Sequence, residues 1–168
     1  LLNDWSTKLR NRTLFKLSSS KIQSLEVIKE DKIIKIFKST EDFWNISESN
    51  SSDTNAMIAD RNKIQSFLRE LNSASIEQFL TTSIDEKSRE EFKVDDPIYR
   101  INILYQNSKS NSYYLSRMQD TEQMWTVIDQ NQSIICLVQT NFNKLLDINP
   151  LTFRNKSLLP KNFVSNCV

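Results

Sequence analysis

The chain has 168 residues, a formal net charge of +1, 38% hydrophobic residues and 26% charged residues. This length and composition indicate one globular domain with its own core, and the near-neutral charge argues against a nucleic-acid partner. The sequence contains no glycine and no histidine, which excludes glycine-rich phosphate loops, Ser-His or Cys-His nucleophile pairs and imidazole metal ligands. We therefore predict no cofactor and no metal ion, and tight turns formed by Asn, Asp and Ser.

The first half of the chain begins with strand-like segments. Two apolar-rich segments, residues 21–29 and 32–38, flank the dipeptide Glu30-Asp31. This arrangement predicts a β-hairpin whose turn lacks the usual glycine. A third short strand is predicted around Trp44.

A polar stretch and a helix follow. Residues 47–55 are rich in Ser and Asn and are predicted to form an exposed loop. Residues 60–72 are predicted to form an amphipathic helix with Asp60 as N-cap, because its apolar residues recur at helical spacing. These apolar residues are Ile64, Phe67, Leu68 and Leu71. A strand over residues 76–82 and a short charged helix over residues 84–92 are predicted next.

The second half is predicted to be an antiparallel meander. In residues 99–105 one set of side chains, Tyr99, Ile101, Ile103 and Tyr105, alternates with another, Arg100, Asn102 and Leu104, with the period of a half-buried strand. Three further strands are predicted at residues 113–118, 122–129 and 133–139. A short helix over residues 140–148 is expected to end at Asn149-Pro150, because proline cannot continue it. Together these elements predict the α+β class, with antiparallel sheet and hairpin, one main amphipathic helix and short flanking helices.

The two ends of the chain resemble each other. Residues 1–15 and 145–159 align at an offset of 144 positions, with five identical residues. Self-similarity at a fixed period is typical of repeat arrays, although two Leu/Asn-rich stretches can also match by chance. We interpret residues 1–17 as the end of a preceding unit or a linking strand, residues 18–160 as one repeat unit, and residues 161–168 as a tail or the start of the next segment.

An Arg-Asn element occurs in both copies. Its residues are Arg10, Asn11 and Leu14 in the first copy and Arg154, Asn155 and Leu158 in the second. One hypothesis is packing, with the leucines in the core and the arginine reaching backbone carbonyls or a carboxylate. The other hypothesis is a joint that sets the angle between successive units.

Two further groups of side chains are candidates for function. The aromatic residues Trp44, Tyr99, Tyr105 and Trp125 are candidates for a peptide-binding or glycan-binding face, although strand aromatics commonly pack across strands. The acidic residues Glu90, Glu91, Asp95 and Asp96 are compatible with a cation site, a solvated helix end or carboxylate-based hydrolysis. Such hydrolysis needs two carboxylates about 5 to 9.5 Å apart. We expect Cys136, in an apolar segment, to be buried.

The order of motifs resembles a bacterial family, the domain of unknown function catalogued under number 4340. Trp44-Asn45-Ile46 resembles the opening motif of that family, and Ala59-Asp60 with its apolar stripe resembles the start of the family's helix. The segment 92–97 resembles the family's "Y-G-L-D-x-P" motif, and the segment 154–158 resembles its "R-D-K-x-L" ending. The resemblance covers about residues 9–159. Lys93 stands where the family usually has glycine, so a different local turn is expected there.

The resemblance implies an extracytoplasmic domain of a membrane-anchored protein, often present in tandem. Some members are similar to auxiliary components encoded with ABC transporters of the gliding-motility type, and the family implies no catalytic residues. We therefore predict a non-enzymatic scaffold or interaction module in the periplasm or cell envelope. Its expected partners are other protein subunits, including ABC-type transporter components, and its anchor is expected outside this fragment. The alternatives are a module that binds a peptide or glycan on the aromatic strand face, and the carboxylate-based hydrolase.

Overall fold

A computed structural model of the chain describes residues 11–39, 41–49, 56–81, 84–93, 95–118, 124–131 and 133–156. Within these residues the chain forms nine strands and four helices. The strands are β1 (Ile22–Lys29), β2 (Lys32–Lys38), β3 (Trp44–Ser49), β4 (Met57–Ile58), β5 (Ile76–Thr81), β6 (Tyr99–Tyr105), β7 (Ser110–Arg117), β8 (Met124–Asp129) and β9 (Ile134–Gln139). The helices are α1 (Arg61–Asn72), α2 (Glu86–Glu91), α3 (Phe142–Leu146) and α4 (Pro150–Phe153).

All nine strands belong to one antiparallel sheet with the order β4-β3-β2-β1-β6-β7-β8-β9-β5. A first meander, β1 to β4, joins a second, β6 to β9, through the central pairing of β1 with β6. The helices are minor, since α1 has 12 residues and the other three have four to six. The α+β class predicted from the sequence is therefore wrong, and the fold is mainly β.

One face of the sheet, which we call the inner face, carries the main core. Alternate residues of every long strand point to it because successive side chains of a strand lie on opposite sides. The core continues into α1, α3 and residues 14–17. Phe142 of α3 packs edge-on against Trp125 of β8, with ring centroids 5.6 Å apart, and against Phe15 at 6.4 Å. The apolar stripe predicted for α1 is confirmed, because all four of its residues are buried.

The opposite, outer face is covered over only part of its width. Ile128 of β8 and Ile135 of β9 form a second apolar cluster there. The residues that pack on this cluster are Leu80, Ile84, Phe92 and Tyr114. Over the first meander the same face carries charged side chains, including the ion pair between Lys35 and Glu26 at 3.0 Å. Among the described residues, it is thus the β8–β9 side of the sheet that is buried on both faces.

Five of the described residues have positive φ angles, and none of them is glycine. Asp42, Ser108 and Ser133 are of the types predicted for such positions, whereas Glu30 and Lys93, both with φ 51°, are not. Glu30 is the first residue of the two-residue turn between β1 and β2, which confirms the predicted hairpin. Lys93 occupies the position at which the family resemblance points to glycine, and its backbone adopts the left-handed region that glycine favours.

The remaining predicted elements agree in type with the structure, with ends that differ by up to three residues, except at three places. Strand β3 extends to Ser49, so residues 47–49 are not loop, and residues 50–55 lie outside the described part of the chain. The two-residue strand β4 was not predicted. Helix α4 was not predicted either, because Asn149-Pro150 was interpreted only as an end. Asn149 caps α4 by accepting a hydrogen bond from the Leu151 N–H at 3.0 Å, and Pro150 occupies a first-turn position, where its missing N–H costs nothing.

Candidate functional site

The first copy of the repeated element lies beside β5, at one edge of the sheet. Thr13 forms an antiparallel bridge with Ser75. The carbonyl oxygen of Arg12 accepts a hydrogen bond from the Ile76 N–H at 2.8 Å. The side chain of Asn11 accepts the Thr13 N–H at 2.9 Å and so fixes the bend of this segment.

The residues that follow Thr13 are packed into the main core. Leu14 is 5% exposed and Phe15 is fully buried. The Leu17 N–H donates to the side-chain oxygen of Asn72 at 2.8 Å, and the amide nitrogen of Asn72 donates back to the Leu17 carbonyl at 2.7 Å. The described part of residues 1–17, residues 11–17, therefore packs with this unit.

The second copy lies beside β4, at the opposite edge of the sheet. The Asp60 N–H donates to the Phe153 carbonyl at 2.7 Å, and the Asn155 N–H donates to the Ile58 carbonyl at 3.0 Å. Arg154 sits between these bonds, bridged to Ala59. Phe153 is held in place by an edge-on contact with Phe67 of α1 at 5.8 Å.

The structure does not bring the two copies together. Asn11 and Leu14 lie at the β5 edge, and Arg154 and Asn155 at the β4 edge, which are the two ends of the strand order. Arg10 and Leu158 lie outside the described residues. Arg154 is exposed. What the copies share is that each forms one isolated antiparallel bridge beside an outermost strand, with Ser75 before β5 and with Ala59 after β4.

The aromatic residues predicted as a binding face are mainly core residues. Trp125 and Tyr99 are fully buried and Trp44 is 4% exposed, while Tyr105 is partly buried. The rings of Tyr99 and Trp125 lie 5.9 Å apart. In the described structure these side chains fill the inner face, as the cross-strand alternative for them predicts, and so they do not form an exposed binding face.

The predicted acidic cluster surrounds the end of α2. Arg89 forms an ion pair with Asp95, and Asp85 caps the start of the helix. Hydrogen bonds from the backbone and side chain of Ser88 hold the pKa of Asp85 below its usual value. Among the residues that the structure describes, no group of three or more Cys, Asp or Glu side chains is placed to hold a metal ion.

A cleft of about 380 Å³ lies between the β1–β2 turn and the start of β6. Its walls include Ile28, Lys29, Glu30, Asp96, Ile98 and Arg100. The Arg100 guanidinium lies 5.4 Å from the centre of the Tyr114 ring, a cation–π contact. The cleft carries two cations and two carboxylates, and its charges are therefore balanced. The cleft was not predicted from the sequence because its residues come from two distant segments of the chain.

A buried polar cluster lies where β6 and β8 end and β7 begins. Asp129 is 2% exposed and accepts the Asn131 N–H at 3.0 Å. Burial is the main cause that raises the pKa of Tyr113 to about 12. A hydrogen bond with Asn111 lowers this pKa, and the charge of Asp129 raises it further. Burial, followed by the charge of Asp129, also raises the pKa of Tyr105. These tyrosines stay protonated at neutral pH, so the cluster acts as a set of hydrogen-bonding groups.

Comparison with known proteins identifies a family. The family model described as "Domain of unknown function (DUF4340)" matches residues 51–165. No curated protein and no solved structure matches the chain significantly. In the part of the chain that the structure describes, none of the helices has the length and apolar character needed to cross a membrane.

Proposed function

The chain belongs to the family described as domain of unknown function (DUF4340), and from this premise we propose that it is a non-enzymatic interaction module, one unit of a tandem-domain scaffold. The proposal places this scaffold outside the cytoplasm, in a bacterial cell envelope. Membrane attachment is supplied by an anchor outside residues 1–168. Its partners are other protein subunits, with ABC-type transporter components as the first candidates.

One observation carries the scaffold proposal. The same sequence element occurs at both ends of the chain, and its two copies form one antiparallel bridge each at opposite edges of a single sheet. The bridges involve different positions of the element, Thr13 in the first copy and Arg154 in the second. A unit contacted by copies of one element at both ends of its strand order suits a linear array, in which each unit contacts only its neighbours. The envelope location and the transporter partner rest on the order of motifs described above.

Affinity capture of the full-length protein from cross-linked native membranes tests this function. We expect the permease and ATPase subunits of an ABC-type transporter in stoichiometric amounts. Trp125→Ala disrupts the core, and we expect this variant to lose both subunits. The control variant Glu26→Gln, on the outer face, is expected to retain both subunits. Recovery of neither subunit type with the native protein would contradict the proposal.

The ligand-binding alternative depended on an exposed aromatic face. Because Trp44, Tyr99 and Trp125 are buried, these three residues do not supply the exposed face that it requires. Soaking or titration with short peptides and glycans therefore becomes informative only after the capture experiment fails.

A further inference from the structure

We infer that the outer face of the first meander binds a second copy of this chain, in a two-fold symmetric dimer whose axis runs parallel to the strands between β1 and β2. This inference goes beyond the proposed scaffold and does not rest on it. The dimer uses the broad side of the sheet, whereas the repeated element lies beside the two outermost strands. Both kinds of contact can therefore exist in one molecule.

The centre of this face is defined by the register of β1 and β2. Strand pairing places six outward side chains as three adjacent pairs: Ile33 with Ile28, Lys35 with Glu26, and Phe37 with Ser24. The residues between them, such as Ile34 and Val27, are buried in the main core, so the six point to the outer face. Apolar side chains thus lie on both sides of a central ion pair.

Apolar surface continues on both flanks of this centre. Leu104 of β6 pairs with Ser24 of β1, and Ile58 of β4 is connected to Phe37 through Asn45 of β3. Leu104 is 40% exposed and Ile58 is 42% exposed. Apolar patches that alternate with polar residues in this way are typical of protein interaction surfaces.

The order of the charges favours a second copy as the occupant. A two-fold axis between β1 and β2 turns the second copy so that its β1 faces β2 of the first copy. Lys35 then lies opposite Glu26 of the second copy, and Glu26 lies opposite Lys35 of the second copy. A partner surface of one charge sign would instead place like charges against one of these two residues.

The same symmetry also matches the apolar side chains. Ile33 faces Ile28 of the second copy, and the large ring of Phe37 faces the small side chain of its Ser24. Each of these contacts occurs twice in the dimer. Aligned sheets pack face to face about 10 Å apart, a distance that such interdigitating side chains fill. The face is therefore complementary to itself in both charge and shape.

Four charges meet at the centre of the dimer and alternate in sign. The ammonium of Lys35 lies 3.0 Å from Glu26 of its own chain, and Glu26 of the second copy approaches it from the opposite sheet. A charge that is buried without a partner is strongly destabilising, but here every charge has partners of opposite sign. Changing the sign of one residue should therefore weaken the dimer strongly.

The area of the face suits a weak dimer. Six strands, from β4 to β7, lie symmetrically about the axis. At a spacing of about 4.8 Å, and with about five residues per strand, they cover roughly 500 Å² in each copy. The total of about 1,000 Å² is at the lower limit for a specific interface, so we expect a dissociation constant on the order of 10 μM.

Analytical ultracentrifugation of the 168-residue chain tests the dimer. A reducing agent is present throughout, so that the thiol of Cys167 cannot link two chains. We expect monomers at about 1 μM and mainly dimers at about 200 μM. Lys35→Glu alone and Glu26→Lys alone place like charges opposite each other, and each should weaken the dimer at least about tenfold.

An equimolar mixture of these two variants is the decisive sample. In a mixed dimer an acidic side chain lies opposite a basic one at both contacts, so we expect the mixture to regain the native dissociation constant within about threefold. Another kind of partner surface would give no such recovery. Glu77→Lys, an exposed residue of β5, is the control charge reversal and should leave the dimer unchanged.

Circular dichroism and thermal unfolding establish that each variant is folded. Leu104→Arg, on another strand of the same face, replaces any charge variant that does not fold and should also prevent dimerisation. A native chain that stays monomeric at about 200 μM would overturn the inference. A dimer that survives the single charge reversals would overturn it as well, because another surface would then be used. Neither result would affect the capture experiment, which tests the proposed function separately.

Discussion

The two meanders of the sheet differ in how many of their faces are buried. In β1 and β2 the burial alternates, with Val27 and Ile36 inward and charged residues such as Glu26 outward. In β8 five consecutive residues from Trp125 to Asp129 are buried, because α2 and its flanking segments cover the outer face. The comparison shows that one continuous sheet can contain a half-exposed and a fully buried part, and we expect its stability to be concentrated in the second part.

One row of side chains across the outer face shows this change from the half-exposed part to the fully buried part. Strand pairing places Ile33, Ile28, Arg100, Tyr114, Ile128 and Ile135 in line from β2 to β9. The first two isoleucines are half-buried, and the last two are buried. Side chains of the same type in the same row therefore have different environments, which provides matched pairs for mutation.

The largest effect is expected for Trp125→Ala, at the centre of the doubly buried part. Loss of a buried tryptophan costs about 3 to 5 kcal/mol of unfolding free energy, and we expect the upper end because Trp125 contacts Tyr99 and Phe142. Trp44→Ala in the first meander is the matched variant, with an expected loss of about 3 kcal/mol. Urea unfolding measures both, and equal losses would argue that the two meanders are equally stabilising.

The next largest effect is a difference between two isoleucines of the outer row. Ile135→Ala is expected to cost about 3 kcal/mol because Ile135 is fully buried beneath the segments around α2. Ile33→Ala removes the same atoms from a half-exposed site and should cost about 1 kcal/mol. If chemical denaturation gave the two variants the same stability, the outer cluster would contribute no more than the open face.

Glycine substitutions at two turns should stabilise each half of the molecule by a similar amount. Glu30 and Lys93 both have φ 51°, and a left-handed backbone costs a residue with a Cβ about 1 to 2 kcal/mol. Because glycine also increases the entropy of the unfolded chain, we expect a net gain of about 1 kcal/mol for Glu30→Gly and for Lys93→Gly. Thermal unfolding is the measurement, and a loss of stability in either variant would contradict the strained backbone.

The smallest effect at neutral pH is expected for Tyr113→Phe, about 0.5 kcal/mol from one lost hydrogen bond. The distinguishing effect of Tyr113→Phe on stability is expected at alkaline pH. Because the folded pKa of Tyr113 is raised to about 12, the native protein is stabilised by the neutral phenol below pH 10 and loses this stabilisation as pH rises from about 10 to 12. The variant should show a shallower decline over that window, and an unchanged slope would exclude Tyr113 as its source.

Most strands were predictable because half-buried strands alternate in polarity. The hairpin around Glu30 and the stripe of α1 followed from local patterns of this kind. Strand β4 has two residues, too few to show any period, and it exists only because Trp44 and its neighbours offer hydrogen-bonding partners. The fold class was predicted wrongly because the sequence does not indicate that all nine strands join one sheet.

Residues of the candidate site could be predicted from the sequence, but their arrangement in space could not. The repeat identified Asn11, Arg154 and Asn155, but only strand pairing shows that the two copies lie at opposite edges. For Tyr99 and Trp125, a period-two pattern indicates that they share a face with other apolar residues. It does not indicate whether helices cover that face, and here α3 does.

Because β9 is buried on both faces, the reaction rate of one of its side chains reports how often the surrounding strands separate. The thiol of Cys136 has no exposed surface, and it lies between β8 and β5 at the centre of the doubly buried part. A thiol reagent can reach it only when these strands separate. The rate of its modification in native buffer therefore times the opening of the most protected part of the molecule, without added denaturant or an introduced label.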